Sequence, residues 1–531
     1  MKRRDFLVSG AAAGAASMGL AAPRIAHAAK ARVLKFIPQA DLAVLDPVWT
    51  TAYVTRNHGF MVFDTLYGQN GKFQATPQMV AGHTVGNGGK LWKLTLRDGL
   101  KFHDGEKVLA RDCVASIKRW GARDGFGQAL MAATDELSAA DDKTIVFKLK
   151  APFPLLPDAL GKTPSNMCPM MPERLAKTDP FKQVTEMVGS GPFTFNAKER
   201  IPGSRIVYEK FAGYVPLSSG TPDWTSGPKV VHFDRVEWHV IPDPATSMNA
   251  LMSGEVDWWE NPTFDLLQVL KTNPKLHGGV QDPTGLVGIF AMNHLYPPFD
   301  NQKIRQALLG AVNQAEYMTA VSGTNKNDWH VPVGVFPPPS PMATTVGLDV
   351  FTGPRDYAKV KAEIMAAGYK GEKIVLMAAT DFPIIKALND VAADMLKKCG
   401  FNVDYQAMDW GTVVQRRAKM DPPDKGGWNV FNTFFAGLDQ FNPAGDLVIR
   451  GNGKNGWFGW PTDPKLEALR TAWFAAPDLA AQQKVCVEIQ KQALIDVPYI
   501  PLGQTFTPTA YKKQLQGVLN GFVLFWNVKR A

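Results

Sequence analysis

Several short patterns carry residue types that could do chemistry, and each breaks down on spacing. Gly161-Lys162-Thr163 looks like the end of a phosphate-binding loop. Such a loop needs a glycine five positions before its last one, where this chain has Leu156, so the backbone cradle for phosphate is missing. Gly189-Ser190-Gly191 lacks the Gly-x-Ser-x-Gly spacing of a nucleophile elbow. The 9 histidines are scattered, and no His-Glu-x-x-His pair exists to hold zinc. His103-Asp104-Gly105-Glu106 concentrates metal-type ligands, but it follows a strand pattern directly and reads as a turn. The 4 cysteines, Cys113, Cys168, Cys399 and Cys486, form no Cys-x-x-Cys motif. Three of them fall within helical patterns, where a thiol is a small apolar filler, so buried free thiols are expected, with Cys113–Cys168 the favoured pair if a disulfide forms. Acidic residues are too numerous for any one pair to mark acid–base work. The pattern predicts no enzyme, no cofactor and no metal site.

The elements around these motifs imply a large globular protein. A chain of 531 residues exceeds what one hydrophobic core supports, so two or more lobes are expected. Hydrophobic residues make up 45% and charged residues 20%, an ordinary globular balance. The net charge of +9 is spread along the chain without a basic block, which argues against a nucleic-acid partner. Residues 1–28 read as an export signal. Lys2-Arg3-Arg4-Asp5-Phe6-Leu7 resembles a twin-arginine motif, an Ala/Gly-rich apolar stretch runs from Val8 to Ala22, and Ala26-His27-Ala28 offers a cleavage site. The stretch is too short to span a membrane permanently, so a periplasmic product is predicted.

Periodicity predicts strands over 32–37, 91–97, 144–150, 230–241, 286–292 and 499–506. Trp92, Leu94 and Leu96 alternate inward. Helices are expected over 53–67, 112–120, 245–253 and 479–495, with Gly254 as a left-handed cap and Asp300 capping a helix that begins after it. Between 355 and 410, helices and strands alternate, which predicts α/β architecture with a mostly parallel sheet. No flexible linker separates the lobes, so strands that cross between them should form a hinge.

Five segments, in this order, resemble family 5 solute-binding proteins, the peptide and nickel binding group of ABC importers. They are Leu91 to Gly105, Gly189-Ser190-Gly191-Pro192-Phe193, Ala250 to Asp257, Asn293 to Leu308 (including Pro297-Pro298-Phe299-Asp300), and Gln490 to Leu502. Each block alone is weak; the ordered set is specific and spans the mature chain. One departure is visible: relatives often place Thr or Ser ahead of the helix at Asp112, where this chain has Val108-Leu109.

The resemblance implies a two-lobed α/β periplasmic binding protein (type II, cluster C-like) with an extra subdomain in lobe 1. The core of lobe 1 would comprise 29–75, 206–285 and 504–531, the subdomain 76–205, and lobe 2 286–503. It also implies a monomer that closes on a small solute, a peptide being favoured, and presents the closed form to an inner-membrane ABC permease with ATPase subunits. A nickel complex, sugar or opine-like compound is the alternative cargo. In peptide-binding relatives an aspartate after a lobe 2 strand holds the ligand's amine, and Asp439 matches that position. The arginine that dipeptide-specific relatives use for the carboxylate has no counterpart in 378–383, leaving Arg416, Arg417 or Arg450 as substitutes. Trp410, Trp428, Trp457, Trp460, Trp49 and Tyr53 are expected to supply aromatic cleft walls.

Overall fold

The computed structural model describes residues 32–531. The expected signal segment, 1–28, lies outside the described residues.

Two mixed sheets organise the chain. The first has seven strands in the spatial order Leu276–Val280, Pro508–Lys512, Trp258–Trp259, Val33–Ile37, Arg235–His239, Arg205–Lys210 and Phe193–Phe195. The second has six: Trp329–His330, Tyr499–Thr505, Leu286–Met292, Val430–Ala436, Lys373–Ala379 and Asn402–Met408. A separate four-stranded antiparallel sheet is built from Val80–Gly86, Leu91–Leu96, Thr144–Leu149 and Thr134–Ala139, all within the span expected for the extra subdomain. On Leu91–Leu96 the expected alternation holds: Trp92, Leu94 and Leu96 are buried and the residues between them are exposed. Val430–Ala436 and Tyr499–Thr505 are buried at every position, as strands at the centre of a covered sheet must be.

The second sheet is not mostly parallel, contrary to the sequence expectation. Lys373–Ala379 pairs in parallel with Asn402–Met408 and Val430–Ala436, as alternating helices and strands require. Leu286–Met292 then runs antiparallel to both Val430–Ala436 and Tyr499–Thr505. These strands join the sheet from long-range parts of the chain, and local periodicity carries no information about their direction.

The chain passes between the two large sheets after Val280 and again between Thr505 and Pro508. The crossings are pinned together. Gly437 N–H donates to Gly285 O at 2.8 Å, and Gln504 Nε2 donates to Thr284 O at 2.7 Å. Gly285 has φ 63°, and a Cβ there would lie 2.7 Å from Thr505 O, so only glycine fits this close approach.

The motifs without catalytic spacing prove to be scaffold. Gly105 N–H donates to Phe102 O, closing the turn, and His103 N–H donates to Gly189 O at 2.9 Å, stitching that turn to the Gly-Ser-Gly segment. Lys162 is buried against Asp124 at 2.5 Å. All four cysteines are free and buried. Helix Gln302–Leu309 is capped by Asn301 rather than Asp300, its side chain accepting from Lys303 N–H at 3.0 Å. At helix Ala110–Gly121, Leu109 cannot cap with its side chain; Asp112 instead accepts the Leu109 N–H at 2.9 Å. Helix Tyr53–Val62 ends five residues before the predicted limit.

Candidate ligand cleft

The short helix Trp410–Arg416 opens with Asp409, whose carboxylate accepts Thr412 N–H at 2.9 Å. Arg417 follows directly, seven residues after Trp410, so the two fall on one face of the helix. Arg417 is 1% exposed. Its guanidinium carbon lies 4.9 Å from the ring centre of Phe458, 5.3 Å from Trp410 and 5.9 Å from Trp457. The polar contacts of the group are thin: one amino group donates to Thr51 Oγ1 at 3.2 Å and Thr50 Oγ1 at 3.4 Å, and Nε has no partner among the described residues. Burial pulls its pKa down to about 9, with the Tyr53 hydroxyl opposing the shift. Arg416 turns away, to Gln406 Oε1 and Gly427 O, and Arg450 pairs with Glu467 at 2.8 Å. Of the three candidate arginines, only Arg417 is a buried cation without a carboxylate among the described residues.

Asp439 sits in a turn after strand Val430–Ala436, its N–H donating to Ala436 O. It is 1% exposed and bridges to the other side of the cleft. Tyr53 Oη donates to Asp439 Oδ2 at 2.5 Å, and Ser165 donates to Oδ1 through both N–H (2.9 Å) and Oγ (2.6 Å). A carboxylate can accept about four hydrogen bonds, so three donors leave little further capacity. Burial and the Asp439 charge hold the Tyr53 hydroxyl well above the ordinary tyrosine range, so it stays a donor.

Two cavities flank this centre and meet at Thr51. The smaller, about 20 Å³, is walled by Tyr53, Trp410, Arg417 and Phe434. The larger, about 230 Å³, is walled by Trp49, Trp457 and Trp460. Trp457 Nε1 donates to Thr51 Oγ1 at 3.3 Å, which ties the two sides of the cleft together. Trp428 lines neither cavity. It stands behind the wall, fully buried, donating from Nε1 to Arg417 O at 3.2 Å and packing on Phe431 and Trp460. Thr51, Ser165 and Phe458 escaped the sequence reading. Ser165 lies in a segment without periodicity, so nothing local points to it.

A cleft between two mixed sheets joined by packed crossings, with aromatic walls and a buried cation, defines a two-lobed solute-binding protein. Residues 74–437 match the profile of bacterial extracellular solute-binding proteins, family 5 (middle region), and the chain belongs to that family. It is the substrate-binding component of an ABC importer. The probable peptide ABC transporter periplasmic-binding protein y4tO of Sinorhizobium fredii (strain NBRC 101917 / NGR234) is 37% identical over 538 residues, covering 100% of both chains. Among solved structures, AgaA from A. tumefaciens R10 in complex with agropinic acid matches with a TM-score of 0.76 at 21% identity, covering 94% of this chain and 99% of that one. DppA from Helicobacter pylori in complex with peptide STSA matches with a TM-score of 0.75 at 20% identity, over 94% and 98%.

Proposed function

We propose that this protein captures a small peptide-like solute in the periplasm, closes on it as a monomer, and delivers it to an inner-membrane permease driven by ATPase subunits. The supporting observation is Arg417, a buried guanidinium inside an aromatic cage with no carboxylate of its own among the described residues. Burying a charge costs several kcal/mol unless a partner compensates. A solute carboxylate is that partner, and planar bidentate pairing is what a guanidinium does best. Thr50 and Thr51 reach Arg417 from the first lobe, so a solute held here touches both halves. Contact with both lobes gives the closed form the higher affinity that hinged closure requires.

The solute's amine is assigned to Asp439. Ser165 and Tyr53 hold that carboxylate in place, and an ammonium would take its remaining capacity or displace one donor. This role is separable from the first, because an opine-like or other non-peptide acid would use Arg417 alone. Calorimetric titration with a dipeptide, its C-terminal amide and its N-acetyl derivative tests both assignments. Amidation should abolish binding if Arg417 holds the carboxylate. Acetylation should weaken binding only if Asp439 holds the amine. Equal affinity for the dipeptide and its amide would sink the reading.

A further inference from the structure

The larger cavity carries an imbalance of charge. Its lining includes Arg123, Arg450 and Lys454 and, among the described residues, no Asp or Glu. Arg450 is neutralised by Glu467, leaving two cations. Arg123 stacks on the Phe181 ring at 4.8 Å and donates one hydrogen bond to Trp49 O, while its Nε is buried without a partner among the described residues. Burial and the neighbouring Arg119 both disfavour its charge, and only Asp46, already paired with Arg119, opposes them. Lys454 is exposed at the rim. At about 230 Å³ the space far exceeds the ~10–15 Å³ that one water requires. It shares Thr51 with the Arg417 compartment, and its wall residue Trp457 has its ring centre 5.9 Å from the Arg417 guanidinium carbon.

We propose that this cavity receives a second acidic group of the same solute, so that the protein selects dianionic peptide-like compounds, such as peptides with an Asp or Glu side chain, over neutral ones. The proposal rests on Arg417 as the site of the first carboxylate. The second group would sit between the Trp49 and Trp457 walls and face Arg123, with Lys454 raising the local positive potential at the entrance. Indole walls exclude water and so strengthen the attraction between the two charges. The same walls suit a planar acid.

The test is calorimetric titration of matched probe pairs that differ only in a side-chain carboxylate against its carboxamide: Ala-Glu with Ala-Gln, Ala-Asp with Ala-Asn, and the N-acetylated forms of each. Each pair is measured on the parent, Arg123→Met, Lys454→Met and Arg417→Met. The acidic member is expected to bind at least tenfold tighter to the parent. Arg123→Met should erase that preference and Lys454→Met, a change at an exposed position, should reduce it. Arg417→Met should weaken both members together. Equal binding of the two members by the parent overturns this proposal and leaves the Arg417 assignment standing. A preference that survives both Arg123→Met and Lys454→Met also overturns it. Failure of every probe to bind the parent overturns the peptide reading and this proposal alike.

Discussion

Tyr53 and Asp439 stand 386 positions apart in the chain and share a hydrogen bond of 2.5 Å across the cleft. The same tyrosine oxygen accepts the Ala436 N–H, so one hydroxyl on helix Tyr53–Val62 serves two groups at the end of strand Val430–Ala436 in the second sheet. Ser165 reinforces the link on the other carboxylate oxygen. The tie joins segments associated with the two large sheets.

Tyr53→Phe removes the donor to Asp439 and the acceptor of Ala436. A lost hydrogen bond to a charged group is worth about 1.5–3 kcal/mol, so the closed form should lose at least tenfold in population relative to the open form. Small-angle scattering should report larger average dimensions for the variant than for the parent. Unchanged dimensions would remove Tyr53 from the closing tie.

Arg417→Met should separate binding from stability. Solute affinity is expected to fall by about 2–5 kcal/mol, the usual loss when one partner of a buried charge pair is removed. The ligand-free variant should be at least as stable as the parent, because an apolar chain replaces a buried cation that lacks a carboxylate among the described residues. Thermal melts with and without a binding dipeptide read both effects. A large drop in ligand-free stability would mean the aromatic cage already compensates the charge.

Lys162→Met should behave oppositely. Lys162 is buried with Asp124, whose other oxygen caps helix Gly125–Ala133 by accepting Phe126 and Gly127 N–H. Removing the lysine strands a buried carboxylate, which typically costs about 3–5 kcal/mol. Urea denaturation should show the loss. A change under about 1 kcal/mol would contradict the burial of this pair.

Glu260 predicts a pH dependence. Its carboxylate accepts Gln39 N–H at 2.7 Å and Asn57 Nδ2 at 2.9 Å, yet burial raises its pKa from 4.5 to about 7, against Arg56, which lowers it. Between pH 4.5 and about 7 the folded chain keeps a proton that the unfolded chain has lost, so this group's contribution to stability falls as pH rises through that window. The total is on the order of 3 kcal/mol. His58 and His294, both pulled down to about 3 chiefly by burial, act with the opposite sign, stability rising with pH from about 3 to 6.5. The informative quantity is therefore the difference between the parent and Glu260→Gln. Relative to the variant, the parent should lose stability from pH 5 to pH 8; parallel curves would refute the raised pKa.

The amino-acid order alone was enough for the α/β class, most element positions, the family resemblance and the scaffold role of the His-Asp-Gly and Gly-Ser-Gly segments, because these depend on periodicity, turn chemistry and local spacing. Leu286–Met292 matched its predicted span to the residue, since an apolar run bounded by Gly285 and Asn293 is a local signal. The tertiary structure decided the direction of the central strands, which depends on partners far along the chain. It also separated Arg417 from Arg416 and Arg450, three residues alike in type whose surroundings differ completely. Burial and charge compensation belong to a site assembled from distant segments, and no window of sequence contains Tyr53, Ser165, Arg417 and Asp439 together.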